Sequence, residues 1–211
     1  AGARMFGRMS PVWPKLEENV RTGQCAYGLA FGRPIFEDLA HKPEDAAIFD
    51  AAMTSFHGGE TDAVLNAYSY DGISVLADIG CGIGAVMAAT LHRYPEMRGI
   101  LFDQAHVLER TAAHVREAGA ADRCTLLSGS FFEAVPAGAD VYTLKDIVHD
   151  WDDERAIAIL CTVRAAIPTT GRLLVIERVI ASGDTPAPGK LVDVTMLLIT
   201  GGRERTHEQY R

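Results

Sequence analysis

The chain has 211 residues, of which 48% are hydrophobic, and this length suits one large domain or one domain with a helical attachment. The formal net charge of −8, with no basic run, argues against a nucleic-acid partner, and the apolar runs are too short to span a membrane. The first residues lack the apolar core of a secretory signal and the four cysteines are scattered, so we expect a cytoplasmic protein with free thiols rather than a zinc or disulfide framework.

Residues 1–70 contain no clear strand and are predicted to form a helical lead-in that contributes to a substrate pocket. Pro43, followed by Glu44 and Asp45, favours a helix start, because proline fits the first turn and acidic side chains complement the helix dipole. The helices expected in this part are 13–20, 34–39, 43–53 and 60–68.

From residue 71 the pattern changes to alternating strands and helices. The expected strands are 75–79, 99–103, 124–127, 140–144 (with room to extend to 147) and 172–179. The expected helices are 85–94, 105–118, 152–167 and 191–199. This alternation predicts an α/β fold over residues 71–211, with a parallel sheet and helices on both of its faces.

A glycine-rich turn follows the first predicted strand. Gly80, Gly82 and Gly84 come at alternate positions after the apolar residues of 75–79. Glycine lets backbone N–H groups and the N-terminus of the next helix approach a ligand closely. The turn therefore predicts a nucleotide-type pocket at the end of this strand.

Asp78 narrows the choice of nucleotide. A carboxylate two residues before the first glycine would repel a pyrophosphate, and the spacing is G-x-G-x-G rather than the dinucleotide pattern G-x-G-x-x-G. A nicotinamide oxidoreductase is therefore disfavoured. A ligand with a cationic amino-acid end and no phosphate suits Asp78 better, and S-adenosylmethionine (SAM) is such a ligand.

Five other residues have a possible role in binding, and each of them also has an ordinary structural interpretation. Asp103 closes the second strand, where a carboxylate reaches ribose hydroxyls, or else it caps a helix or is solvated. Ser130 and Phe131 follow the third strand and are placed to meet an adenine, unless the phenylalanines there belong to the core. Met53 and Met196 lie on helices outside the sheet, either as core residues or as soft apolar walls around a flat ring.

His149 follows the fourth strand and is the candidate general base. Histidine can take up a proton near neutral pH, although a lone histidine is more often structural. Glu177, at the end of the fifth strand, and Glu204 are placed to orient it or tune its pKa. Asp150 is adjacent in sequence, but adjacent side chains need not face one another.

Five motifs in this order resemble the caffeic acid O-methyltransferase-like family, in its bacterial natural-product branch, which includes anthracycline and other polyketide O-methyltransferases. The likeness covers nearly the whole chain, and the last two motifs are far more specific than the glycine turn. The motifs are Asp-Ile-Gly-Cys-Gly-Ile-Gly (78–84), Leu-Phe-Asp (101–103), Gly-Ser-Phe-Phe (129–132), Leu-Lys-Asp-Ile-Val-His-Asp-Trp-Asp-Asp-Glu (144–154) and Gly-Gly-Arg-Glu-Arg-Thr (201–206).

The resemblance implies transfer of the SAM methyl group to a hydroxyl of a small aromatic, phenolic or polyketide-like acceptor. His149 would remove the hydroxyl proton, with Glu177 and Glu204 beside it. Because a sulfonium is already a good leaving group, positioning and deprotonation suffice and no metal is expected. Contacts to SAM are expected from Asp78, Gly80, Gly82, Asp103, Ser130, Phe131 and Lys145. Contacts to the acceptor are expected from Met53, Met196 and Asp150.

Two departures from the family pattern affect these expectations. Ser130 stands where many members have Asp, so adenine recognition would rest on a weaker, neutral hydrogen bond. The family also forms homodimers through an N-terminal helical domain and continues past the Glu-Arg-Thr segment into a helix and two strands, none of which is in this sequence. We therefore expect a fragment with an exposed apolar edge at the fifth strand, and poor solubility or activity of this polypeptide alone.

Two alternatives keep SAM binding but not methyl transfer. Some relatives of the anthracycline enzymes use SAM structurally while they catalyse hydroxylation or decarboxylation. The other alternative is an inactive SAM-binding fragment. Product mass spectrometry and titration with SAM distinguish these hypotheses.

Overall fold

The computed structural model describes residues 2–211, with the backbone alone for residue 57. The chain divides into two compact units. The first unit comprises the chain up to Ser55, Asp146–Ala156 and Glu177–Arg211, and the second comprises Phe56–Lys145 and Ile157–Ile176. The domain boundary near residue 70 stays a prediction.

The α-helices are, in chain order, α1 (Gly2–Met9), α2 (Leu16–Thr22), α3 (Ala26–Phe31), α4 (Ile35–His41), α5 (Pro43–His57), α6 (Glu60–Ala67), α7 (Ala85–Arg93), α8 (Ala105–Glu117), α9 (Asp153–Ala166) and α10 (Pro188–Ile199). Short 3₁₀ turns lie at Ser10–Lys15, Ala121–Arg123 and Val148–Asp150. The strands are β1 (Val75–Ile79), β2 (Arg98–Asp103), β3 (Cys124–Ser128), β4 (Val141–Lys145) and β5 (Arg172–Ile176). No helix within residues 2–211 has both the length and the apolar character that a membrane crossing requires.

The second unit is built on one parallel sheet with the strand order β3-β2-β1-β4-β5. From β1 the chain steps outward to β2 and β3, and it then returns past β1 to β4 and β5. Because crossovers between parallel strands are right-handed, α7 and α8 lie on one face of the sheet and α9 on the other. The strand order reverses between β1 and β4, and sheets of this kind bind ligands at the carboxyl ends of the strands beside such a reversal.

The core of this unit joins sheet and helices. Leu76, Leu101 and Val141 of the strands pack with Met87 of α7 and Val115 of α8, and all five side chains are buried. The α/β fold with a parallel sheet is thus confirmed, and the strand boundaries agree with the prediction to within one residue, apart from the possible extension of the fourth strand and the end of the fifth. The fourth strand ends at Lys145 and does not reach 147, and the fifth ends at Ile176 rather than at 179.

The first unit packs helices around a separate core. Its buried residues include Val12, Tyr27, Ile35 and Leu198, drawn from the 3₁₀ turn, α3, α4 and α10. Two of its helices, α1 and α3, are not among the predicted ones. The predicted helix at 13–20 is wrong in its first half, where Pro11 and Pro14 supply no N–H and a 3₁₀ turn replaces the α-helix until Leu16.

Candidate active site

The glycine turn after β1 has the left-handed backbone that its sequence predicts. Gly80, Gly82 and Gly84 have φ of 73°, 54° and 78°, a region that costs other residues strain. Gly82 N–H donates to Asp103 Oδ2 at 2.9 Å, and Thr111 Oγ1 donates to the Gly82 carbonyl at 2.6 Å. A Cβ on Gly82 would have no protein atom within 4 Å, so this side of the turn has room for a ligand.

Asp103 is tied to the turn and does not cap α8. Its Oδ2 accepts the Gly82 N–H and its Oδ1 accepts the Gln104 N–H at 2.7 Å. The residue before α8 is Gln104, so the predicted helix-cap alternative does not apply. The carboxylate is held by two backbone donors, and a carboxylate at the end of the second strand suits a ribose diol.

Asp78 is buried inside β1, 5% exposed, and accepts a hydrogen bond from Thr143 Oγ1 at 2.9 Å. Burial raises its pKa to about 6. The Thr143 hydrogen bond lowers this pKa, the charge of Asp103 raises it, and the charge of Lys145 lowers it. A cationic ligand group nearby would favour the ionised carboxylate in the same way as Lys145. The Lys145 Nζ lies 3.6 Å from Glu60 Oε2.

Ser130 and Phe131 lie just beyond β3. The Ser130 hydroxyl accepts the Phe132 N–H at 3.3 Å, and the Phe131 carbonyl accepts a hydrogen bond from Thr162 Oγ1 at 2.6 Å. The Phe131 and Phe132 rings meet edge to face with centroids 5.0 Å apart. Both phenylalanines are half-buried rather than enclosed in the core, and their role at an adenine stays a prediction.

In the first unit, the structure brings three of the predicted site residues, Asp150, Glu177 and Glu204, around His149, which is 8% exposed. The His149 Nδ1 lies 3.1 Å from Glu204 Oε1 and 3.5 Å from Glu177 Oε2. The Nε2 lies 3.8 Å from Asp150 Oδ1, too far for a hydrogen bond. Because a carboxylate at Nδ1 keeps a proton on that nitrogen, Nε2 is left as the basic atom.

These contacts set the protonation of the cluster. Burial lowers the pKa of His149, but the Glu204 hydrogen bond and the charges of Asp150, Glu177 and Glu204 raise it, to about 9 in total. Burial raises the pKa of Asp150 and of Glu177 to about 7, against the charge of His149, which lowers both. The charge of Asp146 raises both of these carboxyl pKa values further. The cluster therefore retains protons at neutral pH.

Three of these residues also form a possible cation site. Asp146, His149 and Glu177 each place one ligand atom within 4.8 Å of the others. This geometry is compatible with a metal ion, so the expectation that methyl transfer needs no metal stays a prediction.

The two methionines lie on helices of the first unit. Met53 is on α5 and Met196 on α10, and both are half-buried. The Asp193 carboxylate, one turn before Met196, accepts the Glu204 N–H at 2.8 Å and so joins α10 to the segment that carries Glu204. The acceptor role of Met53 and Met196 stays a prediction.

Three residues that were not predicted hold the candidate site residues in place. Thr143 bonds Asp78, and Gly202 lets its segment pass the His149 turn, since a Cβ there would lie 2.1 Å from the His149 carbonyl oxygen. Arg205 is buried beside the same turn. The motif at 201–206 contains two of the three, but only long-range packing distinguishes their roles.

A family model described as the O-methyltransferase domain matches residues 13–211. The chain belongs to this family. Phenazine O-methyltransferase PhzM from Lysobacter antibioticus is 41% identical to this O-methyltransferase domain over 200 residues, which is 95% of the chain and 59% of the relative. Aclacinomycin 10-hydroxylase RdmB from Streptomyces purpurascens is 38% identical over 192 residues, 90% of the chain and 51% of the relative.

A solved structure has the same fold as this O-methyltransferase domain. It is the O-methyltransferase NcsB1 from neocarzinostatin biosynthesis, in complex with S-adenosyl-L-homocysteine and 1,4-dihydroxy-2-naphthoic acid. Its TM-score is 0.90 at 32% identity, and the match covers 98% of this chain and 62% of that one. The chain thus spans little more than half the length of the proteins it matches.

Proposed function

We propose that this protein transfers a methyl group from SAM to a hydroxyl of a small aromatic natural product, with His149 as the general base. The observation that carries the proposal is the His149 imidazole, whose Nδ1 lies 3.1 Å from Glu204 Oε1 while Nε2 has no partner at hydrogen-bond distance among the described residues. An imidazole held this way is oriented to accept a proton at Nε2.

The residues at the carboxyl ends of β1 and β2 fit SAM. The open side of Gly82 suits the close approach of a ligand, the Asp103 carboxylate suits the ribose, and Asp78 suits a cationic amino-acid end. Gly80, Ser130, Phe131 and Lys145 complete the proposed contacts. When bound, SAM supplies an electrophilic methyl group on a positively charged sulfonium.

The raised pKa of His149 matches a phenolic acceptor. An imidazole with a pKa of about 9 is close in basicity to a phenolate, whose acid has a pKa of about 10, so proton transfer between them is nearly balanced. The base is active only in its neutral form, so the rate should rise with pH up to about 9. Glu204 stabilises the imidazolium that forms when the acceptor proton arrives.

The test is replacement of His149 with Gln. With labelled SAM and a panel of phenolic acceptors, we expect His149→Gln to lose about 10²- to 10⁴-fold in kcat, the usual contribution of a general base, with SAM affinity unchanged by calorimetry. The matched control is His207→Gln, an exposed histidine on the segment that also carries Glu204. Undiminished transfer in His149→Gln would contradict the assignment of the base.

The relative RdmB favours one second candidate. It is named a hydroxylase, yet it is 38% identical to this chain, so a protein this similar is named for a reaction other than methyl transfer. Mass spectrometry separates the two, because methyl transfer adds a CH₂ to the acceptor and hydroxylation adds an oxygen atom. Binding of SAM with neither product would indicate an inactive SAM-binding fragment.

Three finer points belong to the same proposal. The acceptor is a small aromatic molecule, which is supported by the phenazine and dihydroxynaphthoic acid in the names of the matched proteins. The family resemblance implies a homodimer, which light scattering of the purified protein would test. A cytoplasmic location is the third, and fractionation of the source cells would test it.

A further inference from the structure

The turn that carries His149 has polar backbone groups that need partners. Val148–Asp150 is a single 3₁₀ turn, in which the Asp150 N–H donates to the Ile147 carbonyl at 3.1 Å and the Trp151 N–H donates to the Val148 carbonyl at 3.3 Å. So short an element leaves the N–H groups at its start and the carbonyl groups after Val148 without internal partners. Val148 and His149 are both buried, so water is a poor substitute for protein partners there.

Glu177 supplies the partner at the start of the turn. Its Oε1 lies 3.0 Å from Ile147 N, 2.6 Å from Val148 N and 3.4 Å from His149 N. One carboxylate oxygen therefore accepts from three successive N–H groups.

Arg205 holds the carbonyl side of the turn, with a second hydrogen bond to the Val148 carbonyl, which also accepts the Trp151 N–H, and one to the Trp151 carbonyl just after the turn. Its side chain is 4% exposed, and its Nη1 and Nη2 donate to the carbonyls of Val148 and Trp151, both at 2.9 Å. Its Nε and Nη2 also bond Asp153 Oδ1 at 3.2 and 2.9 Å. All three nitrogens of the guanidinium are thus used.

The ion pair with Asp153 does not explain why Arg205 is buried. Asp153 is 57% exposed, and Arg203, 44% exposed, pairs with the same carboxylate from the surface. The Arg203–Asp153 pair is exposed on both sides and contributes little stability, and the Asp153 carboxylate is largely screened by solvent for Arg205 as well. The contacts that distinguish Arg205 from Arg203 are side-chain hydrogen bonds to backbone carbonyls, those of Val148 and Trp151 on either side of His149 and a longer one of 3.4 Å to that of Arg203.

We propose that Arg205 is a positioning residue for methyl transfer: its guanidinium bridges the Val148 and Trp151 carbonyls and so fixes the His149 turn from the end opposite Glu177. The inference deepens the proposed function and rests on it. Gly202 and Arg203 contribute from the same segment, because the Arg203 N–H donates to the His149 carbonyl at 2.8 Å and only glycine fits beside that oxygen. The motif at 201–206 therefore both supplies Glu204 and holds the base that Glu204 contacts.

The test compares Arg205→Gln with Arg203→Gln, which removes the same charge and an ion pair to the same Asp153. We expect Arg205→Gln to lower kcat about 10²-fold, since a displacement of about 1 Å has that effect on a reacting group, with KM for the acceptor nearly unchanged. Arg203→Gln keeps the backbone N–H that bonds the His149 carbonyl and changes only an exposed side chain, so it should stay within about twofold, as surface substitutions do. Arg205→Lys should be intermediate, because one ammonium cannot match the planar fork across both carbonyls.

A second readout does not depend on turnover. The NMR titration of the His149 imidazole should move toward the ordinary histidine pKa in Arg205→Gln, because the ring loses its fixed place beside Glu204, Glu177 and Asp150, and should not move in Arg203→Gln. If no variant or parent methylates any acceptor, the proposed function fails, and this titration still decides the role of Arg205. If Arg205→Gln does not fold, Arg205→Lys decides it by the same titration.

The proposal is overturned if the His149 titration and kcat of Arg205→Gln match the parent. It is also overturned if Arg203→Gln loses as much, or if kcat falls only together with SAM affinity and melting temperature, which a general structural role would produce.

Discussion

Glu204→Gln is the sharpest test of the charge at the proposed base. Glutamine has nearly the size of glutamate and keeps an oxygen acceptor for His149 Nδ1, which lies 3.1 Å from Glu204 Oε1, but it has no negative charge. The environment raises the His149 pKa from 6.5 to about 9, which corresponds to about 3 kcal/mol in favour of the imidazolium. A charged hydrogen bond contributes about 1–2 kcal/mol more than a neutral one, so the pKa should fall by about one pH unit.

The assay is the pH profile of kcat/KM with labelled SAM and a phenolic acceptor, over about pH 6 to 10. In the parent, the rate should rise toward an inflection near 9, since only neutral His149 accepts a proton. In Glu204→Gln the inflection should move to lower pH, and the plateau should fall at least about 10-fold because the base is weaker and less well oriented. The control is Glu208→Gln, an exposed carboxylate on the same segment. An unmoved inflection in Glu204→Gln, or an equal movement in the control, would refute this reasoning.

Three further outcomes are expected. Asp103→Ala should weaken SAM binding about 10- to 100-fold by calorimetry, because the Gly82 N–H also loses its acceptor, whereas the exposed Asp122→Ala should not. Gly202→Ala should lower the melting temperature and kcat together, since the added Cβ meets the His149 turn, while Gly28→Ala, in an open helical site, should stabilise the protein slightly. The melting temperature should fall as pH rises from about 5 to 9, because the folded protein loses the protons of Asp150 and Glu177 near pH 7 and that of His149 near pH 9. A melting temperature that rises over this range would contradict the direction of these pKa shifts.

The sequence predicted the sheet well because its signals are local. Each strand from β1 to β5 is a short apolar run bounded by turn residues, and the glycines at 80, 82 and 84 specify their own backbone conformation. The strand boundaries were less accurate. Val179 was expected inside the fifth strand, but it pairs instead with Arg205 in an isolated bridge, a contact that depends on a distant segment.

The site was predicted as a set of residues but not as an arrangement. His149, Glu177 and Glu204 do lie together, yet no local pattern shows that Glu204 takes the closer place at Nδ1 or that Asp150 is the carboxylate nearest Nε2. Burial of Arg205 could not be predicted either, because an arginine in a polar segment is ordinarily exposed. These features depend on segments that fold against one another from distant parts of the sequence.

The three backbone N–H groups held by Glu177 have a practical consequence for altering the acceptor range. In a library that randomises the residues around His149, position 177 would give mostly misfolded loops, since neither a shorter acid nor an amide can satisfy the same donors equally well. Asp150, whose side chain caps no such group, is the better position to diversify. Two positions that both lie beside His149 therefore differ greatly in how many substitutions they tolerate.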